Sequence, residues 1–435
     1  MAVGGLCHID SAESFPLFAG GLSMNTVSPR PLAYRWVVLA VFMLVNLAIQ
    51  ILWISYAPVT GQAAAFYGVS ELKIGLFSMA FMIAFIPLSI PVSWMIDTLG
   101  FRVAVGFGSI LMGVFGIVRG LAGANYGWAL VGTIGLAASQ PFLLNAWTKV
   151  PALWFPKKER ATAVGLVTLS NLTGTALGML ITPSLASTTP LPTIQLGYGL
   201  FAALCAVLFI ALAREKPAVA PDVDGTEGRA LMLDGLKHAF SVPSFNFCLV
   251  ISFVCLGIFN GVSTWIEPIV RSRGISPQEA GTLGAIMLAA GVVGAVTLPT
   301  ISDRQGKRKP FIAIAVLGAI PGVVALAFAP SFLLLCAASA VFGFFITSVL
   351  PIGMQYASEI TRPTPEGTSN GLIQLFGQAS VVFVYGMGAI NTSFGSFIPA
   401  LLISSALLVM SAMLVRFLRD IKAGEERQSS GEGPV

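Results

Sequence analysis

The sequence predicts an all-α membrane protein of twelve transmembrane helices arranged as two pseudo-symmetric six-helix bundles, and three observations carry that expectation. Of the 435 residues, 56% are apolar and only 10% are charged, with a mean hydropathy of +0.86. An ordinary soluble domain carries about 25% charged residues, so the polar surface here is too small to cover a water-exposed body. Apolar runs of the roughly 20 residues needed to cross about 30 Å of hydrocarbon recur along the whole chain. The runs fall into two sets of six, separated by the longest polar stretch.

In chain order, a tail over 1–35 leads into spans near 36–57, 72–96, 103–122, 127–150, 161–186 and 196–213, which form the first bundle, 36–213. A linker over 214–244 contains EKPAVAPDVDGTEGR and is expected to form a short surface helix near Leu231 to Phe240. The second bundle, 245–417, holds spans near 245–268, 279–300, 310–329, 331–355, 366–391 and 396–417, and a tail follows over 418–435. The first 33 residues show no basic region ahead of an apolar core, so no secretory signal is expected, and Met24 is an alternative start.

Charge placement sets the expected orientation, because short loops rich in Lys and Arg stay on the cytoplasmic side. With the N-terminus inside, 20 basic residues fall on the cytoplasmic side, among them Arg30, Arg35, Arg229, Lys422 and Arg427, and only Lys73, Arg119, Arg271 and Arg273 fall on the other. Both termini are therefore expected in the cytoplasm of a cell-membrane protein. The same count accounts for the net charge of +5 through short loops, which removes the case for a nucleic-acid partner. Cys7, Cys205, Cys248, Cys255 and Cys336 are scattered without a C-x-x-C, so neither a disulfide framework nor a metal site is signalled, and the sequence points to no cofactor.

An internal repeat supports the two-bundle reading. The loop after span two reads Asp97-Thr98-Leu99-Gly100-Phe101-Arg102, and the loop after span eight reads Asp303-Arg304-Gln305-Gly306-Lys307-Arg308, offset by 206 residues at Asp and Gly. The same offset relates Thr162, Gly165 and Leu166 to Thr368, Gly371 and Leu372. Two matches at one offset argue for a duplicated unit. Gly100 and Gly306 permit a tight turn, and Asp97 and Asp303 are expected to meet helix N-termini or a basic partner across the seam between the halves.

This D-x-x-G-x-R/K loop resembles the signature loop of the major facilitator superfamily, in which it helps latch the cytoplasmic gate. Four residues before the Asp, where the family carries a small residue, the two copies hold Ser93 and Pro299. The segments FYGVSELKIGLFSMAFMIAFIPLSIPVSWMIDTLGFR, LWFPKKERATAVGLVTLSNLTGTALG and PEGTSNGLIQLFGQ are similar to the feline leukaemia virus subgroup C receptor-related branch, which is associated with choline, ethanolamine and haem transport. The resemblance implies a transporter that rocks its two halves about a midplane site, with Asp97, Gly100, Arg102, Asp303, Arg304 and Gly306 in its gating loops.

Polar groups inside lipid are expensive and face a cavity or a partner helix. Asn46, Gln50 and Trp53 share one face of span one, Asn260, Ser263, Thr264 and Glu267 one face of span seven, and Asn370, Gln374 and Gln378 one face of span eleven. Gln140 lies in span four, and Thr168, Ser170 and Asn171 in span five. Such amides either line a solute path or only glue helices together; three aligned stripes favour the path. No Lys, Arg, Asp or Glu falls in the middle of a span, which argues against phosphate esters and dicarboxylates and for a neutral solute or a quaternary ammonium. The Trp53 ring can attract a cation by about 0.5–2 kcal/mol. In the resembled branch, residues matching Trp53, Gln140 and Gln378 line the choline site, whereas Asn260 stands where those transporters carry a second aromatic.

Trp265 is expected to be an interfacial anchor. Glu267 reads as a solvated carboxylate at the interface, as an ammonium partner near the entrance, or as a proton-coupled site. Glycines at 165, 174, 178, 371 and 377 are expected to allow close, sliding helix contacts. The only histidines, His8 and His238, lie outside the spans, so no imidazole in the membrane can ligate haem iron. No nucleophile, metal or phosphate-loop motif is present, so catalysis is not expected. The reading is a monomeric transporter of a small-molecule substrate in a lipid bilayer, moving choline-like amines by facilitated diffusion, with other neutral metabolites or drugs, tetrapyrroles, or a non-transporting receptor as the alternatives.

Overall fold

The computed structural model describes residues 34–216, 232–362, 364 and 366–420. Expectations for Cys7, His8, Met24, Arg30, Leu231, Arg229, Lys422 and Arg427, and for nearly all of both tails and the middle of the linker, lie outside the described residues.

The first half comprises α1 (Tyr34–Ile54), α2 (Thr60–Tyr67), α3 (Glu71–Thr98), α4 (Phe101–Leu121), α5 (Tyr126–Leu144), α6 (Lys149–Trp154), α7 (Lys157–Ala186) and α8 (Leu191–Leu212). The linker helix α9 (Met232–Ser241) precedes α10 (Pro243–Thr264), α11 (Ile266–Arg271), α12 (Pro277–Gln305), α13 (Lys309–Phe328), α14 (Phe332–Ile360), α15 (Glu366–Ala379), α16 (Val381–Phe394) and α17 (Ile398–Leu414). Among the described residues there is no strand, and twelve spans are long and apolar enough to cross a membrane. A lipid-facing surface is visible in side chains such as Trp94, Leu121 and Leu333, which are 64%, 69% and 79% exposed.

Local chemistry sets where these helices start and stop. Asn125 caps α5 by accepting the Trp128 N–H, and Ser276 with Glu279 forms a reciprocal capping box on α12. Span one ends earlier than expected, at Ile54, and a short 3-10 turn over Ala57–Val59 follows, with Pro58 unable to continue an α ladder. Span eleven is two helices rather than one. At the break, the Ser380 hydroxyl donates back to the Gly377 carbonyl, competing with the regular ladder.

Each half has its own apolar core, with α1 packed along α7, α4 along α8, and α12 along α14. The α4–α8 contact is very close: a Cβ on Gly113 would lie 2.8 Å from Ala203 Cα, and one on Gly116 would lie 2.9 Å from Gly199 Cα. Small residues let the backbones approach where lipid offers no hydrophobic drive between helices. Between the halves, α7 packs on α12, and α3 packs on α15 and α16, with Met79 and Met82 of α3 entering the core of the second half. Gly174 and Gly178 meet α1 at Leu47 and Ile51, and Gly377 meets Leu256 of α10, whereas Gly165 and Gly371 face open space. The expected close helix contacts thus hold at three of these five glycines.

Candidate functional site

The last turn of α1 brings Trp53 to the junction of the halves. Its Nε1 donates to the Ser78 carbonyl of α3 at 3.3 Å, and its half-buried ring packs on a small cluster of Ile54, Ala57, Met179 and Leu288. Phe259 of α10 packs on the same cluster, so one aromatic ring from each half meets the same apolar floor. The sequence reading missed Phe259 because the search along span seven followed polar residues, and an aromatic one position before Asn260 is invisible to it.

Unpartnered carboxamides lie on α1, α5, α7, α10 and α15. Gln140 is 4% exposed and its Oε1 has no hydrogen-bond partner, and Gln50 Oε1 and Asn370 Oδ1 are orphaned in the same way. Asn46 and Asn171 each lean their amide N–H back on their own helix, on Phe42 at 2.9 Å and Val167 at 3.0 Å, which leaves both oxygens unpaired. Asn260, Gln374 and Gln378 are half-buried and make no hydrogen bond among the described residues. Buried polar atoms are normally satisfied, so these groups have unused capacity for water or for a solute. Thr168 and Ser170 spend their hydroxyl hydrogens on the Val164 and Met43 carbonyls.

Glu267 does not join this set. It is 3% exposed rather than solvated, and its carboxylate accepts two bonds of 2.6 Å from Arg271 and the Gly61 N–H at 3.2 Å. Arg271 also pairs with Glu71 of the first half. Those hydrogen bonds, with Glu267's first, outweigh burial and push the Arg271 guanidinium above its ordinary pKa. The expectation of a solvated interfacial carboxylate fails because α11 folds Glu267 into a charge cluster that bridges the halves. Trp265 also corrects its expectation: it is 1% exposed, donates Nε1 to the Val384 carbonyl at 2.8 Å, and lies against Gly75 of α3 and Gly388 of α16. Gln278 donates to the Pro183 carbonyl at 3.2 Å, across the same seam. All of these contacts lie at the end of the molecule that holds the first and seventh inter-span loops.

At the opposite end, the ion pairs found among the described residues each stay within one half. Asp97 pairs with Lys149, and Arg35 with Glu159 at 2.8 Å, within the first half. The N-terminus of α4 is met by Glu215, which accepts the Phe101 and Arg102 N–H groups at 3.0 and 2.7 Å, while Arg102 reaches the Ile210 carbonyl at 3.3 Å. In the second half Arg308 joins Asp303 to Glu359, and Lys309 faces Asp420 at 3.6 Å, while Arg304 is exposed. The expectation that Asp97 and Asp303 reach across the seam is therefore corrected: both find basic partners in their own half. The duplicated turn itself is present, with φ of +89° at Gly100 and +61° at Gly306.

Comparison with known proteins fits this architecture. The Major Facilitator Superfamily pattern matches residues 36–304 and 266–434. The chain belongs to that superfamily and is a multi-pass membrane transporter within it. It is 29% identical over 410 residues to the mouse choline/ethanolamine transporter FLVCR1, covering 86% of this chain and 72% of that protein. It is 30% identical over 394 residues to the zebrafish (Danio rerio) solute carrier family 49 member A3, covering 85% and 82%. These relatives match the branch whose resemblance the sequence carries. A bacterial homologue of the human lysosomal transporter Spinster, in an inward-facing and unoccupied conformation, shares the fold with a TM-score of 0.71 and 18% identity over 89% of this chain and 95% of that one.

Proposed function

We propose that this chain moves a small choline-like amine across a cell membrane by facilitated diffusion, through alternating access of its two halves. The observation that carries the reading is the meeting of Trp53 and Phe259 on one apolar floor shared by both halves, in a bundle whose α1, α5, α7 and α15 carry buried amides without partners. Two ring faces can attract an ammonium, and amides such as Gln140 and Gln378 can bind its hydroxyl without a fixed charge holding the cation too tightly to leave. The pair of choline/ethanolamine and solute carrier relatives supports the same class.

In this reading both termini are cytoplasmic, and the end sealed by Glu71, Arg271 and Glu267 faces outward, so the chain stands open to the cytoplasm. The seal opens when Arg271 leaves Glu71 and the Gly61 N–H leaves Glu267. Arg271 remains paired with Glu267 on its own helix turn, so opening strands no buried charge, which would cost several kcal/mol. The chain acts as a monomer in this mechanism. The surplus of orphan acceptors favours, as a second reading, a solute with more donors than choline, such as a primary ammonium or a neutral polyol.

Uptake of radiolabelled choline into proteoliposomes tests the assignment, with and without proton or sodium gradients. Saturable uptake that ignores both gradients and falls at least about 10-fold, the loss of roughly 1.4 kcal/mol, in Trp53→Ala and Gln378→Ala is expected. Absence of choline flux by a wild-type chain with an intact thermal melt sinks the amine assignment and turns attention to polyols, other neutral metabolites and tetrapyrroles.

A further inference from the structure

The sequence places Arg119 outside the membrane as an orientation signal. The structure instead folds it into the last turn of α4, 1% exposed, inside the first half. Its Nη1 donates to the Leu52 carbonyl at 2.9 Å, and its Nη2 donates to Gln195 Oε1 of α8 at 2.6 Å and to Ser55 Oγ at 3.3 Å. The Tyr56 ring lies 5.4 Å from the guanidinium carbon. Every one of these partners is neutral, and among the described residues no carboxylate pairs with Arg119.

The cluster also holds two buried donors that have no acceptor. Arg119 Nε and Gln195 Nε2 are buried without partners, and Gln195 is 0% exposed. Each is two bonds from an end of the 2.6 Å Nη2–Oε1 hydrogen bond, so both donors belong to the one side-chain pair. The Tyr56 and Tyr67 hydroxyls bond each other at 2.9 Å, which uses one of their two hydrogens and leaves the other to donate. None of the cluster's buried side-chain oxygens is among those wholly without a partner. Leu52 lies in the last turn of α1, whose dipole offsets on the order of half a unit of charge; it does nothing for the orphan N–H groups.

A buried unit charge without a counterion, flanked by two unsatisfied donors, is the chemistry of an anion site. Tyr56, beside the guanidinium, belongs to a buried apolar cluster with Ala129, Ile194 and Tyr67, and surroundings this closely packed restrict the occupant to a small ion. We propose that a halide-sized inorganic anion, chloride in physiological media, binds inside the first half between Arg119 Nε and Gln195 Nε2. It balances the guanidinium that holds the end of α1, one residue before Trp53, and so locks the α1 terminus to α4 and α8. The site is independent of the identity of the transported solute.

The test is the thermal melt of the purified full chain in sodium chloride and in sodium gluconate at equal ionic strength, for wild type and Gln195→Glu. Wild type is expected to melt about 2–4 °C higher in chloride, with a saturable dependence on its concentration. Gln195→Glu supplies a fixed carboxylate beside Arg119 and is expected to melt at the same temperature in both salts. Equal wild-type melts in the two salts, or the same chloride shift in Gln195→Glu as in wild type, overturns the proposal. Should that variant not fold, anomalous scattering from wild-type crystals grown in sodium bromide decides. A bromine peak within hydrogen-bond reach of Arg119 Nε and Gln195 Nε2 supports the site, and no bromine signal there overturns it.

Discussion

The two ends of the molecule use charge in opposite ways. At one end Arg271 joins Glu71 of the first half to Glu267 of the second, and Trp265 fills the space over Gly75. At the other, Lys149 serves Asp97, Glu215 serves the start of α4, and Arg308 serves Asp303 and Glu359, each pairing contained in one half. A seam whose charges are satisfied locally can separate without exposing an unpaired ion. A seam that shares a charge gives up that pairing when it parts, here the exposed Arg271–Glu71 contact. What joins the halves at the first end is aromatic packing over glycine, with a charge clamp beside it.

The largest effect is expected from Trp265→Ala. It empties the fully buried core of the seal, and large aromatic truncations cost about 3–5 kcal/mol. A lower thermal melt together with increased labelling of a cysteine placed near Gly75 would show the seal loosening; a normal melt and unchanged labelling would mean that the charge clamp alone closes this end. Arg308→Ala at the other end is expected to destabilise by about 1–3 kcal/mol, because it leaves the 7%-exposed Glu359 side chain without its cation. That variant should leave the labelling at the seal unchanged, and a change there would show that the two ends are not independent.

A smaller effect is expected for the clamp. Arg271 and Glu71 side chains are 40% and 28% exposed, so solvent screening limits the pair to about 0.2–1 kcal/mol. A double-mutant cycle of Glu71→Gln and Arg271→Gln, read by the same cysteine labelling, checks it. Because Arg271 titrates above its ordinary value, its contribution persists at every pH below that value and is lost only as pH rises through the raised one, so an alkaline loss of the seal at pH 8–9 would contradict the assignment of the cation.

What the sequence made legible follows from what periodicity can carry. Span number, the 206-residue repeat and the positive-φ turns at Gly100 and Gly306 all follow from hydropathy and glycine spacing. The amide stripes were also visible, since spacing along one helix fixes a shared face. Partners between helices were not. Nothing along span three distinguishes a loop-facing Arg119 from one turned inward onto Gln195, 76 residues away, and Trp265 and Glu267 read as surface residues because a Trp or Glu near a span end usually is one. Asp97 was assigned a partner across the seam for the same reason: a signature fixes the turn, while the identity of its partner, Lys149, depends on how α6 folds back.

The smallest effect is expected at two glycines. Gly165 and Gly371 are repeat-related, and a Cβ at either position meets nothing within 4 Å. Gly281 of α12 lies at the sealed seam, where a Cβ would run into the Met179 carbonyl of α7. Alanine at 165 or 371 is therefore expected to leave stability within about 0.5 kcal/mol or to raise it slightly through the better helix propensity of alanine. Alanine at 281 should instead lower the melt and open the seal, because backbone cannot move aside as a flexible side chain can. If Gly165→Ala or Gly371→Ala halts transport while its melt is unchanged, the open space at that glycine is needed in another state of the transport cycle, where a helix closes over it. Loss of transport in both would assign the repeat at 165 and 371 to the second seam, the counterpart of the Gly281 contact at the first.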